Sequence, residues 1–457
     1  MRPFEGIRVI DVTHVLAGPF ATYQLAVLGA DVIKVEHPDD PDQSRGAGTD
    51  KELNRRNMGT AFLTQSSNKR SITLDLKQAK DRDILKKLVT TADVFVENYR
   101  PGAFDALGLG YDALAAVNPR LIYASFSAFG QEGPRGVQTA YDHVIQATSG
   151  IMAMTGTPEV NPVKFGSPAV DYATGMTGAF ALSAALFQRE RTGKGQRIDM
   201  AMLDVTLILM SSHLTGYLRN GVHPKPNGNL NPHATNSAYQ TKDGIVMLGA
   251  SNLRQQRRLW VLLERPDMIK KTNEERDADR AREAQVLGEI MLVRTADEWE
   301  TFLQTRHVPA ARVRTMGEAV ADPQLESRRI IHHHAGGNGV DGGFGVPLAA
   351  FTFAHGGPRI DHAAARAWPP QRRNFQRTRR WLTQSHFACA PDFFTSTDHL
   401  VSSRSMSAAY SSGDVGSGSA PSVAMWPCTL GSPRAARSAA LSLSIIGRGV
   451  PAGATMP

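Results

Sequence analysis

The sequence predicts an α/β protein, with a doubly wound parallel-sheet large domain plus a smaller α/β domain. Three observations carry this. Apolar, β-branched runs recur through the first ~130 residues, stretches of helical spacing separate them, and 457 residues exceed what one ordinary domain holds. Parallel strands need a crossover connection, so alternation at this spacing makes a Rossmann-like sheet.

The first 36 residues read as one β-α-β unit. GIRVIDV alternates and is β-branched, which suits a strand. Phe20, Tyr23, Leu25 and Leu28 follow at helical spacing, GAD breaks the helix, and VIKVE is a second buried strand. ADVFVENY (92–99) and PRLIYASFS (119–127) repeat the strand signal, with helical stretches such as 80–90 intervening. Ligands of such sheets sit beyond the carboxyl ends of the strands. Those ends offer Thr13 and His14, Glu36 and His37, Asn98 and Tyr99, and Ser127.

Residues 172–191 form a long, largely apolar helix, closed by the basic residues and glycines of TGKGQ. RIDMAMLDVTLILM continues as strand, then helix. Residues 1–215 are the first part of the large domain, and the Pro/Gly/Asn-rich stretch 216–236 is a linker. Residues 237–325 are the small domain, opening on a hairpin around Lys242-Asp243-Gly244 and continuing in charged helices from 254 to about 318. Residues 326–361 return to the large domain through a strand, VPLAAFTF (346–353).

Composition bounds the class. Apolar residues make up 41% and charged residues 21%, enough for a sizeable core. No apolar run reaches the roughly 18–20 residues of a membrane span, and two cysteines exclude a disulfide scaffold. A strand pattern starts almost at once, with no signal-peptide core, so the expectation is a cytoplasmic enzyme. The net charge of +8 suggests nucleic acid until it is located. From His362 onward there are ten Arg and three acids, against 41 basic and 40 acidic residues in the rest. The bulk is nearly neutral, and no nucleic-acid or membrane partner is expected.

Single motifs are weak. The first turn reads HVLAGPF rather than G-x-G-x-x-G, which argues against a dinucleotide cofactor. The run His332-His333-His334 has no partner at ligand spacing and reads as a solvated loop, so no metal is expected. The segment GSPAVDYATGM (166–176) is the most informative. Asp171 before the long helix reads either as its N-cap or as a carboxylate nucleophile at a helix N-terminus, with glycines around it to admit a substrate.

Nine blocks then match a family in order and spacing. EGIRVIDVTHVLAGP, GADVIKVEHP, NKRSITLDLK, ADVFVENYRPGA, GLGYDAL, NPRLIYASFSAFG, YDHVIQATSG, VDYATGM and TGKGQRIDMAMLD resemble the class III CoA-transferases, the formyl-CoA transferase and carnitine CoA-transferase group, over residues 4–360 or so. The resemblance implies transfer of CoA from an acyl-CoA thioester to a carboxylic acid through a covalent aspartyl intermediate, with Asp171 as nucleophile. It implies an interlocked homodimer and no cofactor beyond coenzyme A itself as substrate. His14, Val15 and Leu16 fall where the family contacts CoA and the active site. Leu16 replaces the Gln of formyl-transferring members, which argues against a formyl donor. His37 stands where an Arg often meets the nucleotide phosphates, and Leu74, Lys77, Asn98 and Tyr99 match positions lining the CoA site. Ala106 and Thr139 replace basic residues that some members use. The glycine-rich lid loop of the formyl enzymes has no counterpart in this sequence, and NGNLNPHATN (227–236) is the nearest candidate for a mobile cover. The related α-methylacyl-CoA racemases use the His of a Gly-His-Asp triplet, which here reads Ala140-Tyr141-Asp142. Tyrosine is a poor base at neutral pH, so Tyr141 favours transferase over racemase. An inactive homologue is the remaining alternative, opposed by retention of Asp171. The family's range points to a dicarboxylate such as succinate or glutarate.

After about residue 361 the chain becomes rich in Ser, Ala, Arg and Pro, lacks Lys and shows no sustained period. This atypical tail (362–457) fits a disordered extension or out-of-frame reading of a GC-rich gene. The resemblance, ending abruptly near AAARAWPPQRRN, favours a frame shift near 362. Residues beyond about 375 are then expected to be irregular and poorly packed, Cys389 and Phe393 included.

Overall fold

A computed structural model describes residues 1–366. The expectation for the tail beyond about 375 therefore lies outside the described residues.

Six parallel strands form the main sheet: β1 (Arg8–Val12), β2 (Asp31–Glu36), β3 (Lys69–Thr73), β4 (Val94–Glu97), β5 (Ile122–Ser127) and β6 (Gln196–Ala201). Their order is β3-β2-β1-β4-β5-β6, so the winding reverses between β1 and β4. Both neighbours of β1 pair in register, Val9 opposite Val32 and Val94. β1, β2, β4 and β5 are buried over nearly their whole length, which is why they read as continuous apolar runs. On one face, Val9, Val32, Val94, Val96, Ile122 and Ala124 pack with Leu25 of the first helix, Ala17–Val27, and Leu182 and Leu186 of the long helix, Ala169–Thr192. On the other, Phe95 stacks on Tyr123 at 5.1 Å and meets Phe104 at 5.8 Å. Helices therefore cover both faces, as in a Rossmann-like sheet.

The two main helices approach closely because the long one carries glycines on its buried side. A Cβ on Gly175 would lie 2.8 Å from the Ala17 carbonyl oxygen, and one on Gly178 would lie 2.3 Å from Phe126 Cζ. Gly175 therefore serves packing and does not open the site to substrate, contrary to the sequence expectation. Gly178→Ala forces the helix off Phe126, and we expect a loss of about 1–3 kcal/mol in urea denaturation.

The core also buries charges. Lys69 Nζ donates to Asp11 Oδ2 at 2.9 Å, to the Pro19 carbonyl at 2.7 Å and to Thr22 Oγ1 at 2.8 Å. Lys34 pairs with Asp42 at 2.9 Å, and Arg45 grips both oxygens of Glu36 at 2.8 and 2.7 Å. Burial pushes the Asp11 carboxyl up, but Lys69, Lys34 and the Thr13 and Thr22 hydroxyls outweigh it and hold it well below the usual carboxylate range.

A three-stranded antiparallel sheet follows, β7 (Ala238–Gln240), β8 (Ile245–Leu248) and β9 (Ala310–Arg312), in the order β7-β8-β9. Its core holds Trp260, Leu259, Leu287, Trp299 and Leu303. Capping boxes Asn252/Gln255, Thr295/Glu298 and Thr315/Glu318 start three of its helices. β7 and β8 are the expected hairpin.

β10 (Ile331–His334) and β11 (Phe344–Pro347) make an antiparallel ribbon. This corrects two expectations. His332-His333-His334 is a strand, not a loop, because His334 stacks on Phe344 at 4.6 Å and bonds Ser67 Oγ at 3.2 Å. The strand expected over 346–353 ends at Pro347, one residue before the Leu348 N–H makes a last bond to the Ile330 carbonyl at 2.7 Å. Among the described residues no group of three His, Cys, Asp or Glu is placed to hold a metal, and no helix is long and apolar enough to cross a membrane.

Candidate active site

At the β1/β4 reversal the carboxyl ends of the strands open into a cavity of about 270 Å³. Its wall includes His14, Val15, Leu16, Asn98, Tyr99, Tyr141 and Asp171. Arg100, Gln43, Ser127, Gln138 and Thr139 complete its polar lining. Such switch points are where open α/β sheets bind ligands.

The turn from β1 into the first helix forms one wall, and the structure clamps it. Asn98 Oδ1 accepts from the His14 N–H at 2.8 Å, while its Nδ2 donates to the His14 carbonyl at 2.8 Å. His14 Nε2 lies 2.7 Å from the Tyr99 hydroxyl. Burial, with Lys34 nearby, holds His14 below its ordinary value, so the ring is neutral at neutral pH. Val15 has φ 70°, a region a β-branched residue rarely enters. The Asp42 carboxylate accepts its N–H at 3.0 Å, and Gln65 Nε2 donates to its carbonyl. Glu97, ending β4, accepts from the Tyr99 N–H at 2.8 Å.

Asp171 lies opposite, in the first turn of the long helix. The expected N-cap role fails on geometry. The cap position is Pro168, and the capping carboxylate comes from Asp142, whose Oδ2 accepts from the Val170 and Asp171 N–H groups at 2.8 and 3.1 Å. Gln146 donates to Asp142 Oδ1 and accepts from the Phe165 N–H at 2.7 Å, so it ties the preceding loop to the same carboxylate. The Asp171 carboxylate is left without a hydrogen bond or ion pair among the described residues. Burial, then the charge of Asp142, pushes it from 3.8 up to about 7.

A carboxyl raised in the folded state has a definite linkage sign. Below pH ~4 Asp171 is neutral folded and unfolded and has no effect. As pH rises towards 7 the unfolded carboxyl ionises first, so stability falls, levelling above about 7. Asp171→Asn should therefore be more stable than the parent at pH 8, by roughly 2 kcal/mol after allowance for partial solvent screening, and equal to it near pH 4. Thermal melts across pH check this. Asp142→Asn removes the like charge, so Asp171 should ionise more easily and the fall in stability with pH should be smaller.

His37, Leu74 and Lys77 do not line the cavity. They lie at the carboxyl ends of β2 and β3, where His37 Nε2 is 3.5 Å from Asp75 Oδ1 and the Leu74 N–H donates to the Glu36 carbonyl at 2.9 Å. Ala106 ends a short helix, and Thr139 is in the wall. Sequence reasoning missed Asp42, Gln65, Glu97, Gln146 and Arg100, and assigned Asp142 no role. Arg100, in the NYRPGA block, and Glu97, two residues before Tyr99, were within reach, but Asp42, Gln65 and Gln146 bond partners 27, 50 and 19 residues away.

The chain is similar to known proteins over most of its described length. The model of CoA-transferase family III matches residues 4–364. The chain is 37% identical over 338 residues to succinate–glutarate CoA-transferase of Agrobacterium fabrum, covering 72% of this chain and 84% of that one. It is 35% identical over 372 residues to acetyl-CoA:oxalate CoA-transferase of Acetobacter aceti, covering 79% and 94%. The crystal structure of a CaiB/BaiF family protein from Brucella suis superposes with a TM-score of 0.71 at 32% identity, covering 83% of this chain and 99% of that one. With its six-stranded parallel sheet and these relatives, the chain belongs to CoA-transferase family III and is a CoA-transferase.

Proposed function

We propose that the protein moves CoA from an acyl-CoA thioester to a dicarboxylic acid, with Asp171 as the covalent nucleophile. The supporting observation is the Asp171 carboxylate, unpaired in a cavity wall while Asp142 takes over the capping of its helix. An unpaired carboxylate held beside a bound thioester is a competent nucleophile. Asp171 attacks the thioester carbonyl, the C–S bond breaks, and CoA leaves as thiolate with an acyl-aspartyl anhydride formed. The thiolate then attacks the aspartyl carbonyl, giving an aspartyl-CoA thioester and releasing the donor acid as carboxylate. The acceptor carboxylate attacks that thioester, forming a second anhydride and expelling thiolate. The thiolate finally attacks the acceptor carbonyl, which yields the new acyl-CoA and restores Asp171. No proton, electron or further group is consumed. His37, Leu74, Lys77, Asn98 and Tyr99 would contact CoA along the sheet edge, and His14, Val15, Leu16 and Tyr141 the reacting acyl group.

The dicarboxylate class rests on two supports. Relatives are named for succinate, glutarate and oxalate, and Arg100 in the cavity wall offers a cation to a distal carboxylate. Leu16 in the same wall continues to argue against a formyl donor. We also propose the homodimer: Phe180, Phe187, Ile208, Leu209 and Leu218 leave a broad apolar face exposed on the long helix and the two that follow β6. The cytoplasm is the proposed compartment.

Succinyl-CoA incubated with glutarate, oxalate or acetate tests the reading by chromatography of the thioesters. A new thioester, formed faster with the dicarboxylates, is expected. Exchange of an α-proton without a new thioester would instead mark a racemase, and silence from folded protein an inactive homologue.

A further inference from the structure

The cavity wall contains a strained residue, and the chain invests buried charge in holding it. Val15 sits at φ 70° between the last residues of β1 and the first helix, and its flanks, His14 and Leu16, also line the cavity. A valine released from its contacts would leave this region, because its branched Cβ crowds the backbone there. Two buried side chains fix it. Asp42, 1% exposed, accepts the Val15 N–H at 3.0 Å, and Gln65, fully buried, donates to its carbonyl. Asp42 is itself fixed: Lys34, also 1% exposed, pairs with its Oδ2 at 2.9 Å, and the Ser44 N–H and hydroxyl donate to its Oδ1 at 3.0 and 2.8 Å. Lys34 reaches the same turn from the other side, donating to the Thr13 carbonyl at 2.7 Å. One buried ion pair thus grips the turn at both Thr13 and Val15. Because Asp42 consumes the Val15 N–H, the first helix enters the cavity wall at Leu16 in one fixed orientation, with Leu16 as a cap residue bearing no side-chain cap.

We propose that Asp42, backed by Lys34, is a positioning residue for CoA transfer: it holds Val15 left-handed and so sets the Leu16–Ala17 wall against which the thioester meets Asp171. This rests on the reading of Asp171 as nucleophile. It assigns Asp42 no contact with substrate.

The test is a double-mutant cycle between Asp42 and Val15, read with succinyl-CoA and glutarate. Glycine adopts positive φ without penalty, so it removes the need for the restraint. Asp42→Ala should lower kcat/KM by about 30-fold, mostly in kcat, since misplacement at the reacting centre is a loss of transition-state positioning. In the Val15→Gly background the same Asp42→Ala change should cost less than about threefold. Deuterium uptake of the 13–20 peptide should rise in Asp42→Ala. If the orphaned Lys34 prevents folding, Lys34→Met/Asp42→Ala leaves no unpaired buried charge and replaces Asp42→Ala in both backgrounds. A lower Tm with kcat/KM unchanged well below it, or an equal loss in both backgrounds, overturns the proposal. If the parent protein transfers no CoA, the reading of the site fails, and the deuterium uptake still decides whether Asp42 holds the turn.

Discussion

Asp171→Ala should reduce CoA transfer by at least about 10³-fold and leave the fold intact. The size follows from the role. A covalent nucleophile splits one difficult step into several easier ones, and no other carboxylate in the cavity wall can replace it. The fold should survive because the Asp171 side chain makes no hydrogen bond among the described residues, and its helix is capped by Asp142. Asp171→Asn should be as inactive, since an amide nitrogen does not form the anhydride. In the active protein the carboxyl must ionise before it attacks, so kcat/KM should rise with pH to a plateau, with a midpoint near the value of about 7. An acid arm displaced to pH 4 would show that burial does not hold this carboxyl neutral.

Asp11→Ala should be the most destabilising single change in the large sheet, by about 3–5 kcal/mol in denaturant unfolding. Asp11 is fully buried, accepts from the Thr13 N–H at 3.0 Å and from Thr22 Oγ1 at 2.7 Å, and faces Lys69 at 2.9 Å. Its removal leaves the Lys69 ammonium buried with only neutral acceptors, the Pro19 carbonyl and Thr22 hydroxyl. Asp11→Ala/Lys69→Met, which removes both charges, should recover much of that loss, because replacing a buried pair by apolar groups is often close to neutral. Equal instability of the single and double variants would mean that the hydrogen bonds of Asp11, not the stranded charge, carry the effect.

The fold was legible where burial dictates composition. β1, β2, β4 and β5 lie buried in the sheet interior and so had to be apolar and β-branched. β3, at the edge, reads KRSIT and is partly exposed, so its residues look like any polar segment. β9 is three residues, too short for a period to show. His332-His333-His334 is a strand because of a partner ten residues on, which local polarity does not reveal. In the site, the residues that follow the strand ends directly, His14, Asn98 and Tyr99, were expected from topology. Val15, Leu16 and Tyr141 rested on family resemblance, and all line the cavity. Asp171 was singled out by its place before the long helix, but the local pattern could not say what caps that helix, since the cap arrives from 28 residues away. Asp42 and Gln65 meet Val15 across separations of 27 and 50 residues, and no spacing rule reaches that far. Gly175 was read as space for substrate because a sequence does not show which side of a helix packs.

The central claim is that Asp171 becomes covalently acylated. Trapping with hydroxylamine during turnover of succinyl-CoA, followed by peptide mapping, tests it most directly. The account predicts a modification confined to the peptide carrying Asp171 and absent from Asp171→Ala. Transfer that proceeds with that peptide unmodified, or with the label on another residue, would contradict it.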